Sequence, residues 1–173
     1  MIIVRPWMGN RMLHNFNVMT DLVQRSRQPW PARVQVEDAP DAFPGLIPVY
    51  GGFADSRMSG VLRFVYRETS RSLAASLAQI RGARTVVALE SYRRDSGSLP
   101  DSLKSIVPTY LDTALVDPFS GGSLLYRKTG ANYVVYSVGP DGADNGGNVQ
   151  WPERRRGVRA WPADMGFQVV SAK

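Results

Sequence analysis

Between Ser56 and about Ser96 no proline interrupts the chain. Leu62, Val65, Thr69, Leu73, Leu77, Ile80, Ala83, Val87 and Ser91 recur there at steps of three or four. Residues so spaced share one face of an α-helix. Arg63, Arg67, Arg71, Arg81 and Arg93 fall mostly on other faces, and Gly97 stands where a C-terminal stop belongs. At 1.5 Å per residue, a helix of about 40 residues is roughly 60 Å long. That outruns a small domain, so part of it has to pack on another segment, on another chain or on nothing. Gly60 and Gly82 mark where a break would fall, each costing about 1 kcal/mol relative to alanine.

The whole chain of 173 residues is about one domain long, with 43% hydrophobic and 21% charged residues, an ordinary globular balance. It has no cysteine, which excludes disulfides, thiolate metal sites and a cysteine nucleophile. His14 is the single histidine, so a His-rich zinc site is excluded too. The formal charge of +6 favours acidic partners. No apolar run approaches the roughly 20 residues of a membrane-spanning helix, and Arg5 and Pro6 cut short the apolar start at Met1. The sequence as written is therefore expected to carry neither a signal peptide nor a span.

Upstream of the long helix, Met12, Leu13, Phe16, Met19, Leu22 and Val23 predict an amphipathic helix over 9–28, ended by Pro29 and Pro31. A Pro/Gly-rich connector follows to about residue 55. Downstream, 98–107 reads as a short helix with Pro100 in its first turn and Pro108 after its end. Asp117-Pro118-Phe119-Ser120-Gly121-Gly122 is a turn-rich corner. Leu124–Arg127 and Tyr133–Val138, joined through Gly130, form a hairpin, and Phe167–Val170 can supply a third strand. This order predicts an α+β fold: a long N-terminal helix packed on a small antiparallel β-sheet, preceded by an extra helical and irregular segment. Residues 1–55 form the extension and 56–173 the α+β domain.

Past Val138 the chain breaks at Gly139-Pro140 into a loop holding Asp141, Asp144 and Asn145 among four glycines. Oxygen donors this close on a pliant backbone suit a hard cation such as Ca²⁺, though a polar Gly/Asp turn has the same composition. An EF-hand is excluded, because position twelve from Asp141 is Pro152 rather than glutamate.

Three stretches in this order, ALESYRRDSGSLPDSLKSIVP (88–108), DPFSGGSLLYR (117–127) and YVVYSVGPDGADNGG (133–147), resemble the C-terminal domain of the type II secretion major pseudopilin, within the type IV pilin-like family. They match that family's helix end, its DPWG-type corner and its strand-to-loop passage. The resemblance covers about 60 residues, or about 90 with the helix. It implies a pilin-like head that binds Ca²⁺ through Asp141, with Asp144 and Asn145 near the family's downstream acids and the carbonyls of Ser137 and Val138 completing the shell. It further implies a structural or assembly role in a bacterial cell envelope, with protein partners of a secretion or envelope assembly and self-association through the long helix. The basic leader and apolar helix that open pilins are not in this sequence, and its first 55 residues have no pilin counterpart. The expectation is a piece of a longer anchored protein, or a head reused elsewhere.

No GxSxG elbow or phosphate-binding loop is present, and the Asp141/Asp144 pair has no partner motif, so the expectation is a non-enzyme without a small-molecule substrate. The alternative of a different class is a nucleic-acid binder. It would use Arg154, Arg155, Arg156 and Arg159 between Trp151 and Trp161 to contact phosphates and stack bases.

Overall fold

The computed structural model describes residues 6–34, 54–150 and 161–171. Helix α1 spans Pro6–Ser26 and helix α2 spans Ala54–Ser96. Strands β1 (Leu125–Thr129), β2 (Asn132–Ser137) and β3 (Met165–Val169) follow. The chain divides into two compact units, Met1–Arg71 and Ser72–Lys173, with the division inside α2.

In the first unit α1 starts on Pro6, where a missing N–H costs nothing. It buries Val18 and Leu22, four residues apart, while Phe16, Met19 and Val23 face outward. The face that sequence spacing marked as apolar is thus only partly the buried one. The Asp21–Arg25 pair, 3.0 Å apart, lies one turn along the helix and is half-exposed, so it adds a few tenths of a kcal/mol.

The second unit is α+β. The C-terminal half of α2 packs on a three-stranded antiparallel sheet in the order β1-β2-β3. Helix α2 runs unbroken past both Gly60 and Gly82. Gly82 has a packing reason: a Cβ there would lie 3.1 Å from the Phe167 ring of β3. The helix ends as its sequence requires, with Gly97 at φ 73° and its N–H donating to the Arg93 carbonyl at 2.9 Å.

The orientation of α2 reverses the simplest reading of its pattern. Its buried side carries Ala74, Ala78, Thr85, Ala88 and Leu89, whereas Leu73, Ile80 and Val87 are 58%, 59% and 67% exposed. The helix therefore has two apolar faces, a small-residue face turned inward and an aliphatic face turned outward. Small side chains let the helix backbone approach its neighbours, and the sheet side supplies the bulk.

That bulk is the core. Ala88 and Leu89 meet Leu99, Ile106, Leu111, Leu124, Tyr133 and Val135 in one buried cluster. Ile106 sits in a single 3₁₀ turn, Leu103–Ile106, which replaces the longer helix expected over 98–107. The hairpin closes with Thr129 opposite Asn132, leaving Gly130 (φ 62°) and Ala131 as a two-residue loop. Along β2 the side chains alternate, so Tyr133 and Val135 join the helix-side core while Val134 and Tyr136 take the opposite face. Tyr133 Oη donates to Glu90 Oε1 at 2.7 Å, and Glu90 in turn pairs with Arg93. The third strand starts at Met165, two residues before the expected Phe167, and pairs Met165 with Ser137.

These packing assignments make a direct prediction. Leu89→Ala should cost about 2–5 kcal/mol, because the residue is fully buried. Ile80→Ala on the outward face should stay within about 0.5 kcal/mol. Urea unfolding of the two variants checks this.

Candidate functional site

Strand β2 delivers the chain into the 139–148 loop, and the loop folds back over the face of the sheet opposite α2. A Cβ on Gly147, whose φ is +82°, would come within 2.8 Å of Val134 Cγ1 and 3.2 Å of Tyr136 Cε1. Arg127 of β1 donates from Nη1 to the Gly146 carbonyl at 2.7 Å. The glycines are therefore set by close approach to the sheet as much as by turning. Gly139 (φ +70°) is likewise pressed on Ala163, whose carbonyl oxygen would lie 2.5 Å from a Cβ.

Two fully buried carboxylates hold this architecture: Asp117, which opens the turn-rich corner, and Asp164; neither was among the cation-site residues expected from sequence. Asp117 Oδ1 accepts the Phe119 N–H at 2.9 Å and Ser137 Oγ–H at 2.6 Å. Its Oδ2 accepts Ser120 Oγ–H at 3.0 Å and the Val138 N–H at 3.1 Å. The corner around it is closed by Asp117 N–H to the Gly122 carbonyl and Gly121 N–H to the Asp117 carbonyl. One side chain thus ties the Asp-Pro-Phe-Ser corner to the end of β2.

Asp164, just before β3, does the same for the loop. Its Oδ1 accepts the Asn145 N–H at 3.2 Å, and its Oδ2 accepts the N–H groups of Gly147 and Asn148 at 2.8 and 2.9 Å. The Asp164 N–H returns a bond to the Asn148 carbonyl at 3.1 Å. Burying a carboxylate is costly unless hydrogen-bond donors replace its water, and the loop backbone supplies them.

The residues expected to bind a cation divide among three neighbourhoods. Asp141 and Asn145 come together: Asn145 Nδ2 donates to Asp141 Oδ2 at 2.9 Å and to the Ala143 carbonyl at 3.0 Å, while Asp141 Oδ1 accepts the Ala143 N–H. Asp144 turns toward the sheet, where its Oδ1 accepts Tyr136 Oη–H and the Gly146 N–H, both at 2.9 Å. Ser137 and Val138, named for their carbonyls, bond to Asp117 through Oγ–H and N–H. Among the described residues no three acidic or histidine side chains gather as a metal-holding group. The donors on the loop are nonetheless all hard oxygens. Asp144 Oδ2 and Asn145 Oδ1 lie outside the bonds just named.

Of the basic segment, Trp151, Arg154, Arg155, Arg156 and Arg159 lie outside the described residues; Trp161 is half-buried. Among the described residues no helix is long and apolar enough to cross a membrane. Comparison of the chain with protein-family models, curated proteins and solved structures finds no match.

Asp117 has a sequence signal. An aspartate followed by Pro-x-Ser can accept from its own second and third successors, as Asx-type turns do. Asp164 has none, because its partners lie 16 to 19 residues upstream.

Two predictions follow from the bonding. Asp164→Ala leaves three backbone N–H groups without their acceptor and should cost about 3 kcal/mol or more, whereas exposed Asp141→Ala should cost less than about 1 kcal/mol without added cation. Chemical denaturation of both variants measures the difference.

The second concerns alkali. Burial, reinforced by the bond to Asp144, pushes the Tyr136 hydroxyl up to about 12, and burial with the bond to Glu90 raises Tyr133 as well. A phenol raised above its unfolded value of about 10 contributes stability that is complete below that pH and lost as pH climbs through the folded value. The melting temperature should therefore fall as pH rises from about 10 to about 12. Tyr136→Phe, though less stable at neutral pH, should lose less over that interval.

Proposed function

We propose that residues 56–173 form a non-enzymatic structural or assembly module, resembling the head of a type II secretion pseudopilin, within a bacterial cell-envelope protein. One observation carries this reading. The polar groups most suggestive of chemistry are spent on holding the fold, with Asp117, Asp164 and Asp144 each accepting backbone N–H bonds that fasten loop and corner to the sheet. The two-faced α2, small residues inward and aliphatic residues outward, supports a helix that meets protein on both sides. Its partners are other proteins of a secretion or envelope assembly.

Calcium enters this reading as an additional clasp. Asp141, Asp144 and Asn145 would hold it, and the ion would neutralise the two carboxylates at the outer edge of a loop that Asp164 already anchors. A weak extracellular-type site near 10⁻⁴–10⁻³ M would add roughly 1 kcal/mol at millimolar Ca²⁺.

Melting with Ca²⁺ against chelator tests the clasp: a rise of a few degrees is expected, abolished by Asp141→Ala. No response to either change removes calcium from the reading. Fractionation of source cells tests the role. The chain should travel with the envelope; recovery on nucleic acid, with strongly salt-dependent DNA or RNA binding, would transfer the function to the Arg154–Arg159 segment.

A further inference from the structure

Asn145 is the one asparagine of six whose successor is glycine. Asparagine reacts slowly with its own backbone when the nitrogen of the next residue attacks the side-chain carbonyl carbon. A side chain on that next residue shields the nitrogen, and the other five asparagines are followed by Arg11, Phe16, Val18, Tyr133 and Val149. Gly146 has no side chain and the widest backbone freedom, so its nitrogen is the least hindered. Both residues are exposed, and water, the second reactant, reaches them.

The folded loop holds the two groups back from this reaction. Asn145 Nδ2 donates to Asp141 Oδ2 at 2.9 Å and to the Ala143 carbonyl at 3.0 Å, so the carboxamide is fastened to residues upstream of it. Asp141 is itself fixed, because its Oδ1 accepts the Ala143 N–H at 3.0 Å. The attacking nitrogen is engaged as well, since the Gly146 N–H donates to Asp144 Oδ1 at 2.9 Å. Ring closure requires the carboxamide to let go of Asp141 and Ala143 and the N–H to leave Asp144. All of these bonds lie at the exposed rim, where water competes for them. The bonds to buried Asp164 lie beneath, so the rim can open while the loop stays anchored.

We infer that Asn145 is a self-modification site, latched by Asp141, at which deamidation through a cyclic imide releases the rim of the loop. The Gly146 nitrogen gives its proton to hydroxide and forms a bond to Asn145 Cγ. The Cγ–Nδ2 bond breaks, and Nδ2 takes a proton and leaves as ammonia. Water then opens the imide. Cleavage between Cγ and the Gly146 nitrogen yields aspartate. Cleavage between the main-chain carbonyl carbon of residue 145 and that nitrogen yields isoaspartate, with the chain running through Cβ. The net reaction consumes water and releases ammonia, and nothing is oxidised or reduced.

The product has no means of remaking the latch. A carboxylate at position 145 has no N–H to give to Asp141 Oδ2 or to the Ala143 carbonyl, and it sets a second negative charge against Asp141. Isoaspartate also lengthens the main chain between the N–H groups of residues 145 and 147, which share the Asp164 carboxylate. The loop is thereby loosened from the sheet face that carries Val134 and Tyr136. The inference stands apart from the assembly reading and from calcium.

The test uses the full chain in chelator at mildly alkaline pH, sampled over time and mapped by mass spectrometry that separates asparagine, aspartate and isoaspartate. In the folded chain, conversion is expected at Asn145 and not at Asn132 or Asn148. It should run roughly tenfold slower there than in urea, and roughly fivefold faster in Asp141→Ala than in the wild type. Asn145→Gln, whose longer side chain does not close the same imide ring, should show no conversion at that position. Asn145→Asp, a stand-in for the product, should melt a few degrees below the wild type. No conversion at Asn145 in urea overturns the site. Equal rates in the folded chain and in urea, or in Asp141→Ala and the wild type, overturn the latch. An Asn145→Asp chain as stable as the wild type overturns the release.

Discussion

A buried carboxylate has to be surrounded by donors, and in this protein the donors are mostly backbone N–H groups of the segments that need fixing. Asp117 collects its own corner and the last residues of β2; Asp164 collects the loop that covers the sheet. Neither has a basic partner among its bonds, so the anchoring is directional rather than merely coulombic. Hydrogen bonds to a charged acceptor are worth about twice neutral ones, and they fail abruptly when the acceptor is removed. A sheet of three short strands has little else to hold a glycine-rich loop flat against its outer face. The helix covers one side of β2 and the carboxylate-pinned loop covers the other.

Helix α2 follows from the same economy of space. A three-stranded sheet is narrow, and a helix lined inward by alanine, threonine and glycine can lie close to it. The aliphatic residues that would normally form the core side are displaced to the surface. Leu73, Ile80 and Val87 remain there as the most exposed large apolar side chains of the unit's helix, which gives α2 a second surface able to meet protein.

Much of this was legible in the residues themselves. The long helix, its stop at Gly97, the hairpin through Gly130 and the existence of a third strand all follow from periodicity and turn chemistry. Those are local signals. The inward face of α2 was not legible, because spacing identifies an apolar stripe but cannot tell which of two stripes meets the sheet. Large aliphatic residues outweigh alanine on any hydropathy scale, so the eye goes to Leu73 and Val87 rather than Ala74 and Ala78. The loop shows a similar division. Asp141, Asp144 and Asn145 announce themselves by clustering in sequence, and they lie at its exposed rim. Asp164 carries the loop from a distant position, and only the three-dimensional pairing of β2 with β3 brings it there.

The bonds between Asn148 and Asp164 have a topological consequence. They hold two residues sixteen apart in the chain at one point, like a cord knotted at its neck. Whatever length of chain lies between those two residues, its two ends are held together there. Lengthening it then carries a closure cost of about 0.6 kcal/mol per doubling, with no strand register disturbed.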